Sequence, residues 1–317
     1  MAGNTNYNTN VLASTVEKFV GPEFADSVFN SHLLLRTLKD KAYTPVDGGT
    51  KILEPLMYKK NTNAGSYSGY DVLDTTPTSA FTAAEFDWTQ YAAPIVISGR
   101  EERINMGDSA AVNLLLGKVK EAEMSLSEDI VSGLFGDGTG NSGKDIDGLE
   151  IMVDSAGTYG NINRATAGNE FWQSNETAQG GALTISAMAT KYTQCSRGGK
   201  MGPDLIITTS TVYDKYEALM QANQRFGVSN TELADAGFVT MKFRGADVMF
   251  DEQCTSGVMY FLNTEHLKLR YHKDANFTVT DFQRPDNQDA KIAQILWMGN
   301  LTANNCRYLG KLTQVTA

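Results

Sequence analysis

The segment 108–150, DSAAVNLLLGKVKEAEMSLSEDIVSGLFGDGTGNSGKDIDGLE, decides the fold together with its continuation to Trp172. Asp108 and Ser109 are cap-type residues whose side-chain oxygens can accept free backbone N–H groups at a helix start. Behind them Val112, Leu115, Leu116, Val119, Ala122, Leu126, Ile130 and Leu134 recur at spacings of three and four, which puts them on one helix face. Lys118, Lys120, Glu121, Glu123, Glu128 and Asp129 fall mostly elsewhere and are expected to face water or a partner. A continuous helix from Asp108 to Phe135 is about 40 Å long at ~1.5 Å per residue. Such a helix is a spine on which other elements are laid.

A glycine-rich break, Gly136 to Lys144, follows the helix. On paper Gly138-x-Gly140-x-x-Gly143 fits a dinucleotide fingerprint, and Gly138 to Lys144 nearly fits the phosphate loop of nucleotide hydrolases. Both motifs need a strand before the glycines and a helix after, so that the helix N-terminus points at phosphate. Here a helix comes first and Asp145-Ile146-Asp147-Gly148 follows. Asp145 stands where a magnesium-binding hydroxyl belongs, and Asp137, Asp145 and Asp147 would repel phosphate. The break reads as a helix-ending turn whose glycines supply positive φ. A nucleotide-binding enzyme using Gly138–Lys144 is kept as a distant alternative.

The whole chain sets the outer bounds. Its 317 residues are enough to bury a sizeable core in more than one domain. No apolar run approaches the ~20 residues of a membrane span, and the start, Met1 to Tyr7, has no secretory pattern. Cys195, Cys254 and Cys306 lie far apart, which suggests neither a disulfide framework nor a metal set and fits a reducing cytoplasm. A formal charge of −10 argues against a protein whose main work is gripping nucleic-acid phosphates. His266 and His272 are six apart, the wrong spacing for a helical zinc pair, and no nucleophile elbow occurs. Glu101-Glu102, Glu121 with Glu123, and Asp251-Glu252 read as solvated faces. No catalytic, cofactor or metal site is assembled from these residues, and an enzyme is not expected.

Residues 1–31 begin with an Asn/Thr-rich arm, followed by a short amphipathic pattern carrying Val16, Phe19, Val20, Phe24, Val28 and Phe29. It can dock on its own domain or on a neighbour. Lys51 to Tyr58 predicts a strand with Pro55 at an edge or bulge, and 85–98 a second strand. Between them Lys59 to Thr82 is polar and nearly free of aliphatics. A stretch that long is either a loose surface hairpin or an arm ordered on another subunit. Farther on, a helix over Thr184–Cys195, a buried strand at Pro203–Thr209 and a helix from Ser210 predict a mixed domain. A hairpin around Arg244-Gly245 follows, then strands at 258–262, 267–271, 277–282, 292–302 and 307–315. Gly299-Asn300 and Asn304-Asn305 are expected at bends. The class is α+β.

That order resembles the major capsid proteins of tailed bacteriophages, the Hong Kong 97-type coat fold. Gly148-Leu149 after a glycine turn, Tyr159-Gly160-x-Ile162-x-Arg164, and Phe171-Trp172 are similar to the family's central run. Phe243-Arg244-Gly245, Tyr260 to Asn263, and Gly299-Asn300-Leu301-Thr302 resemble its later strands. The resemblance implies an N-terminal arm at 1–49 and an extended loop at 50–98. It implies a peripheral domain at 99–150 plus 275–317 with spine helix 108–135, and an axial domain at 151–274. It further implies self-assembly into pentamers and hexamers of an icosahedral phage head around DNA, assembled in a bacterial cytoplasm. Scaffolding would come from a separate protein or be dispensable, and portal and decoration proteins are further implied partners. Lys59, Lys60, Tyr67, Tyr70, Phe19 and Phe24 become candidate inter-subunit contacts. Gly148, Leu149, Tyr159, Arg164, Trp172, Gly245, Gly299 and Asn300 become structural motif positions. A Lys59 or Lys60 isopeptide bond to Asn304 or Asn305 is formally open. An encapsulin-like nanocompartment on the same fold is the main alternative.

Overall fold

The computed structural model describes residues 32–104, 108–196, 202–221 and 241–316. The arm helix expected within 1–31, with Phe19 and Phe24, lies outside them. Helix α1 (Leu33–Ala42) leads directly into β1 (Tyr43–Val46). Strands β2 (Ile52–Met57) and β3 (Phe81–Phe86) pair as an antiparallel hairpin. Strand β4 (Thr89–Ser98) is a separate element. The single strand expected over 85–98 is therefore two, broken at Asp87-Trp88. Phe86 stays paired to Ile52 in the hairpin, whereas Thr89 starts a different sheet opposite Gly299.

A four-stranded sheet takes the order β1-β12-β13-β4, where β12 is Leu267–Val279 and β13 is Ala290–Ala303. The two strands expected at 267–271 and 277–282 are joined in β12, with register shifts between Tyr271 and Thr278. Helix α2 (Gly99–Ile104) closes β4 with a capping box: the Ser98 N–H donates to Glu101 Oε2 at 3.1 Å, and the Glu101 N–H donates to Ser98 Oγ at 3.2 Å. Lys118 Nζ donates to the Val96 carbonyl at 2.8 Å, and Pro94 has no N–H to offer. These features blunt the outer edge of β4 against strand addition.

The spine, α3, is continuous over Asp108–Phe135, as its caps and spacing predict. Val119, Leu126, Ile130, Val131 and Leu134 are buried in one core with Ile95, Ile97, Ile295 and Trp297 of the sheet. After the helix, Asn141 and Ser142 take left-handed φ values of 48° and 63° in an exposed turn flanked by Gly138 and Gly143 at positive φ. No strand precedes this turn, so the context that phosphate binding needs is missing.

Short α4 (Leu149–Met152), β5 (Thr158–Tyr159) and β6 (Ile162–Asn163) lead to a second sheet. Its order is β7-β14-β11-β8-β10-β9. The strands are β7 (Asn175–Ala182), β8 (Leu205–Thr208), β9 (Met241–Phe243), β10 (Ala246–Phe250), β11 (Met259–Leu262) and β14 (Gly310–Thr316). Helices α5 (Ile185–Cys195) and α6 (Ser210–Gln221) accompany it. Central strands β8 and β11 are buried at every position because both faces are covered. Leu205, Ile207, Tyr260 and Leu262 face the main core, while Ile206, Met259 and Phe261 face a second core with Met188, Val212 and Tyr216. Gly310–Thr316, which the resemblance groups with 275–317, runs between β7 and β11 in this sheet. Among the described residues no helix is long and apolar enough to cross a membrane.

Candidate assembly site

Strand β2 alternates strictly, and β3 follows it near the root. Ile52, Glu54 and Leu56 of β2 point inward with Ala84 and Phe86 of β3. The opposite face carries Leu53, Pro55 and Met57 beside Ala83 and Phe81, with cross-strand pairs Pro55–Ala83 and Met57–Phe81. Leu53 is 58% exposed, Met57 73% and Phe81 74%. An apolar face on a two-stranded ribbon has no reason to stay in water and every reason to find a partner. Beyond the strands, 58–80 is held by local bonds: Tyr58 N–H to Ala80 O at 3.1 Å, Asn63 Nδ2 to Thr76 O at 2.7 Å, and Asp71 bonded to Ser68. Lys59, Lys60, Tyr67 and Tyr70 all lie exposed in this tip, together with Val72 and Leu73.

The hairpin is aimed by a polar junction at its root. Glu54 occupies an inward position where an alternating strand calls for an apolar residue. Its Oε1 accepts from Arg270 Nε at 2.7 Å, Arg270 Nη2 at 2.6 Å and Thr302 Oγ1 at 3.0 Å, tying β2 to β12 and β13. Trp88 Nε1 donates to Gly49 O at 2.8 Å, and the Glu85 N–H donates to Gly160 O at 3.0 Å. Gly160 has φ +57°, and a Cβ there would meet Ala84 and the Phe86 ring at 2.9 Å, so only glycine lets the hairpin sit this close.

Asn300 is the second knot. The Gly299-Asn300 pair expected at a bend instead lies inside β13, with Gly299 flanked by β12 and β4 and Asn300 paired with Arg270 of β12. Gly299 is needed for close packing, since a Cβ would run into Arg270 O and the Trp297 ring. Asn300 is buried; its Nδ2 donates to Asp87 O at 2.9 Å and Asp147 Oδ2 at 3.0 Å. Its Oδ1 accepts from the Asp147 N–H at 3.1 Å. One amide thus joins the hairpin root, the turn after the spine and the sheet. Burial raises the Asp147 carboxyl above its ordinary range, and the Asn300 hydrogen bond opposes that shift. Beside it, Gly148 fits because a Cβ would strike the carbonyls of Gly133 and Gly136, and Leu149 is fully buried.

Arg164 is the third. It is 1% exposed, yet among the described residues no carboxylate meets it. Its Nε donates to Trp172 O at 3.0 Å, Nη1 to Ile151 O at 2.7 Å, and Nη2 to Met152 O at 2.7 Å. The guanidinium also lies 5.2 Å from the Tyr159 ring centroid. Tyr159 OH donates to Leu301 O at 3.2 Å, and Trp172 Nε1 donates to Tyr159 O at 2.9 Å. The aromatic positions of the sequence motif, and the last residues of the short helix that Leu149 begins, therefore converge on one arginine. Gly245, at φ +93°, is elsewhere: it makes the β9–β10 turn with left-handed Arg244.

Two carboxylates read as part of solvated faces are not. Glu123 and Asp251 are buried rather than solvated, and Glu123 Oε1 and Asp251 Oδ2 have no hydrogen-bond partner. The amides of Asn304 and Asn305 are engaged, Asn304 Oδ1 with His266 Nδ1 at 2.7 Å and Asn305 Oδ1 with the Arg307 N–H at 3.2 Å. Glu54 and its partners went unnoticed; a charge at an inward position of an alternating strand was the available signal.

Neither a family model nor a curated protein matches this sequence. Solved structures do. The capsid of cyanophage A-1(L) is similar with a TM-score of 0.68 at 17% identity, covering 89% of this chain and 93% of that one. The capsid of a native GTA particle has a TM-score of 0.62 at 11% identity, covering 89% and 90%. The SrpI encapsulin of Synechococcus elongatus has a TM-score of 0.54 at 12% identity, covering 89% and 87%. With its spine helix, projecting hairpin and two sheets, this chain has the Hong Kong 97-type coat fold.

Proposed function

We propose that this chain is a major capsid protein that assembles with copies of itself into pentamers and hexamers of an icosahedral phage head enclosing DNA. The observation that carries the reading is the hairpin: its root is fixed by Glu54 and Gly160, while its outer face offers Leu53, Met57 and Phe81 to something outside the chain. A second copy of the same chain is the partner a shell requires. Because that contact joins unlike surfaces, it propagates head to tail and closes into rings. In this reading 1–49 is the arm, 50–98 the extended loop, 99–150 with 275–317 the peripheral domain and 151–274 the axial domain. Gly310–Thr316 then links the two domains as β14. Lys59, Lys60, Tyr67 and Tyr70 at the tip are inter-subunit contacts, as are Phe19 and Phe24 of the arm. The role is structural rather than enzymatic, with separate scaffolding, portal and decoration proteins as further partners and the virion as its place.

Light scattering and negative-stain microscopy of the purified chain test this. Closed shells, or rings of five and six, are expected, alone or with co-expressed phage proteins. A monomer near 34.5 kDa under all those conditions rejects it. An encapsulin-like compartment shares the fold; co-purification of a cargo enzyme in place of phage DNA would favour it.

A further inference from the structure

The spine helix carries one charge that its fold does not accommodate. Glu123 is 2% exposed and lies in the middle of the buried stripe, between Val119 and Ala122 on one side and Leu126, Ser127 and Ile130 on the other. Lys118 bonds the Val96 carbonyl, and a Cβ on Gly133 would touch the Tyr91 hydroxyl, so the helix runs along β4 from Val96 toward Tyr91. Glu123 falls between those two contacts, along the part of β4 whose inward residues are Ala93 and Ile95. Its Oε1 has no hydrogen-bond partner. Two other inward acids are met, Glu54 by Arg270 and Thr302 and Asp147 by Asn300, and Asp251 keeps one oxygen bonded to the Gln253 N–H.

We propose that Glu123 is a proton-controlled latch: protonated, it lets the spine helix seat on the four-stranded sheet, and ionised, it loosens that seat. The geometry requires this, because an unpaired carboxylate among apolar side chains is costly to bury and a neutral carboxyl is much less so. Burial moves its titration up to about 7, with Lys120 as the opposing charge. Among the described residues, the elements packed on α3 bring few other charges. β4 carries none. Lys291 of β13 lies opposite Ile97, beyond the Val96 end. Glu101 of α2 is bonded to Lys118, Arg103 of α2 is paired with Asp289, and Glu150 of α4 is exposed. The latch holds whether or not the chain forms shells.

The folded chain binds this proton more tightly than the unfolded chain, whose glutamate titrates at about 4.3. The contribution of Glu123 to stability is therefore fully present below that value and is lost as pH rises to about 7. Across that interval the folded-to-unfolded ratio falls up to about tenfold per pH unit. The test compares the full-length chain with Glu123→Gln, which keeps the shape and cannot ionise. Unfolding midpoints of the two should agree near pH 4 and separate progressively as pH rises to about 7, with the variant more stable. Hydrogen exchange should show the amides of 119–130 losing extra protection above pH 7 in the wild type alone. Parallel pH curves would overturn the latch. Should Glu123→Gln fail to fold, carbon-13 titration of the wild-type glutamate carboxyls decides: a resonance titrating near 7 supports the latch, and none above the ordinary carboxylate range overturns it.

Discussion

Arg164 and Glu123 are both charged side chains almost fully removed from water, and the chain treats them in opposite ways. Arg164 donates to three backbone carbonyls within 3.0 Å, so its burial is bonded and directional. Glu123 lies on the buried helix stripe with Val119, Leu126 and Ile130 and has an oxygen that nothing meets. A bonded buried charge fixes geometry, because each partner must stay where the donor points. An unbonded one fixes nothing and makes its surroundings sensitive to protonation. The rigid junction and the adjustable seat lie at the two ends of one design. The loops that aim the hairpin are tied by Arg164, while the helix beneath them is held by apolar packing with one titratable flaw.

The sharpest way to break that contrast is Arg164→Met. It removes a charge, and by the logic of Glu123 that alone should relieve the fold. Instead it strands the carbonyls of Ile151, Met152 and Trp172 in a dry interior. The expected loss is about 3–5 kcal/mol of unfolding free energy, measured by denaturant titration. A loss under about 1 kcal/mol would mean that water reaches those carbonyls and that the two charges do not differ as argued.

Next in size is Glu54→Ala. It leaves Arg270 facing a gap in the sheet and frees Thr302 Oγ1 from one of its acceptors. A loss of about 2–4 kcal/mol is expected. Faster proteolysis within 58–80 should accompany it, as the hairpin root loses its tie. A double-mutant cycle with Arg270→Leu isolates the pair; a coupling near zero would make Glu54 a bystander and leave Gly160 and Phe86 to hold the root.

The sequence disclosed some of this and concealed the rest for a physical reason. The spine helix was readable to the residue, because its caps and its three-and-four spacing are local signals. Gly148-Leu149 and the Tyr159–Arg164 run were readable as a motif, though not as a carbonyl clamp. Glu54 was legible only as a charge at an inward strand position, because its partner Arg270 is 216 positions away. Asn300 was misread because Gly-Asn is a turn signature in isolation, whereas Gly299, paired on both sides, and the pairing of Asn300 with Arg270 hold it in β13. Glu123 was assigned to a solvated face by its charge, although its helical position put it on the buried stripe. Local pattern specifies elements; the meeting of distant side chains specifies the site.

The smallest expected change in stability is the most informative about function. Met57→Asp places a charge on the outer face of the hairpin, at a side chain 73% exposed and paired only with Phe81 across the strand. Folded-state stability should shift by no more than about 0.5 kcal/mol, the scale of ordinary surface substitutions. Assembly should nonetheless fail, because a desolvated aspartate on an apolar contact opposes every copy-to-copy interface at once. Particle counts by light scattering, beside an unchanged unfolding curve, separate the two effects. If particles form as before, the hairpin face is not the assembly contact, and its exposed apolar side chains belong to some other partner. If both stability and assembly fall, the face already packs within the chain, and the distinction between a fixed root and an open outer face dissolves.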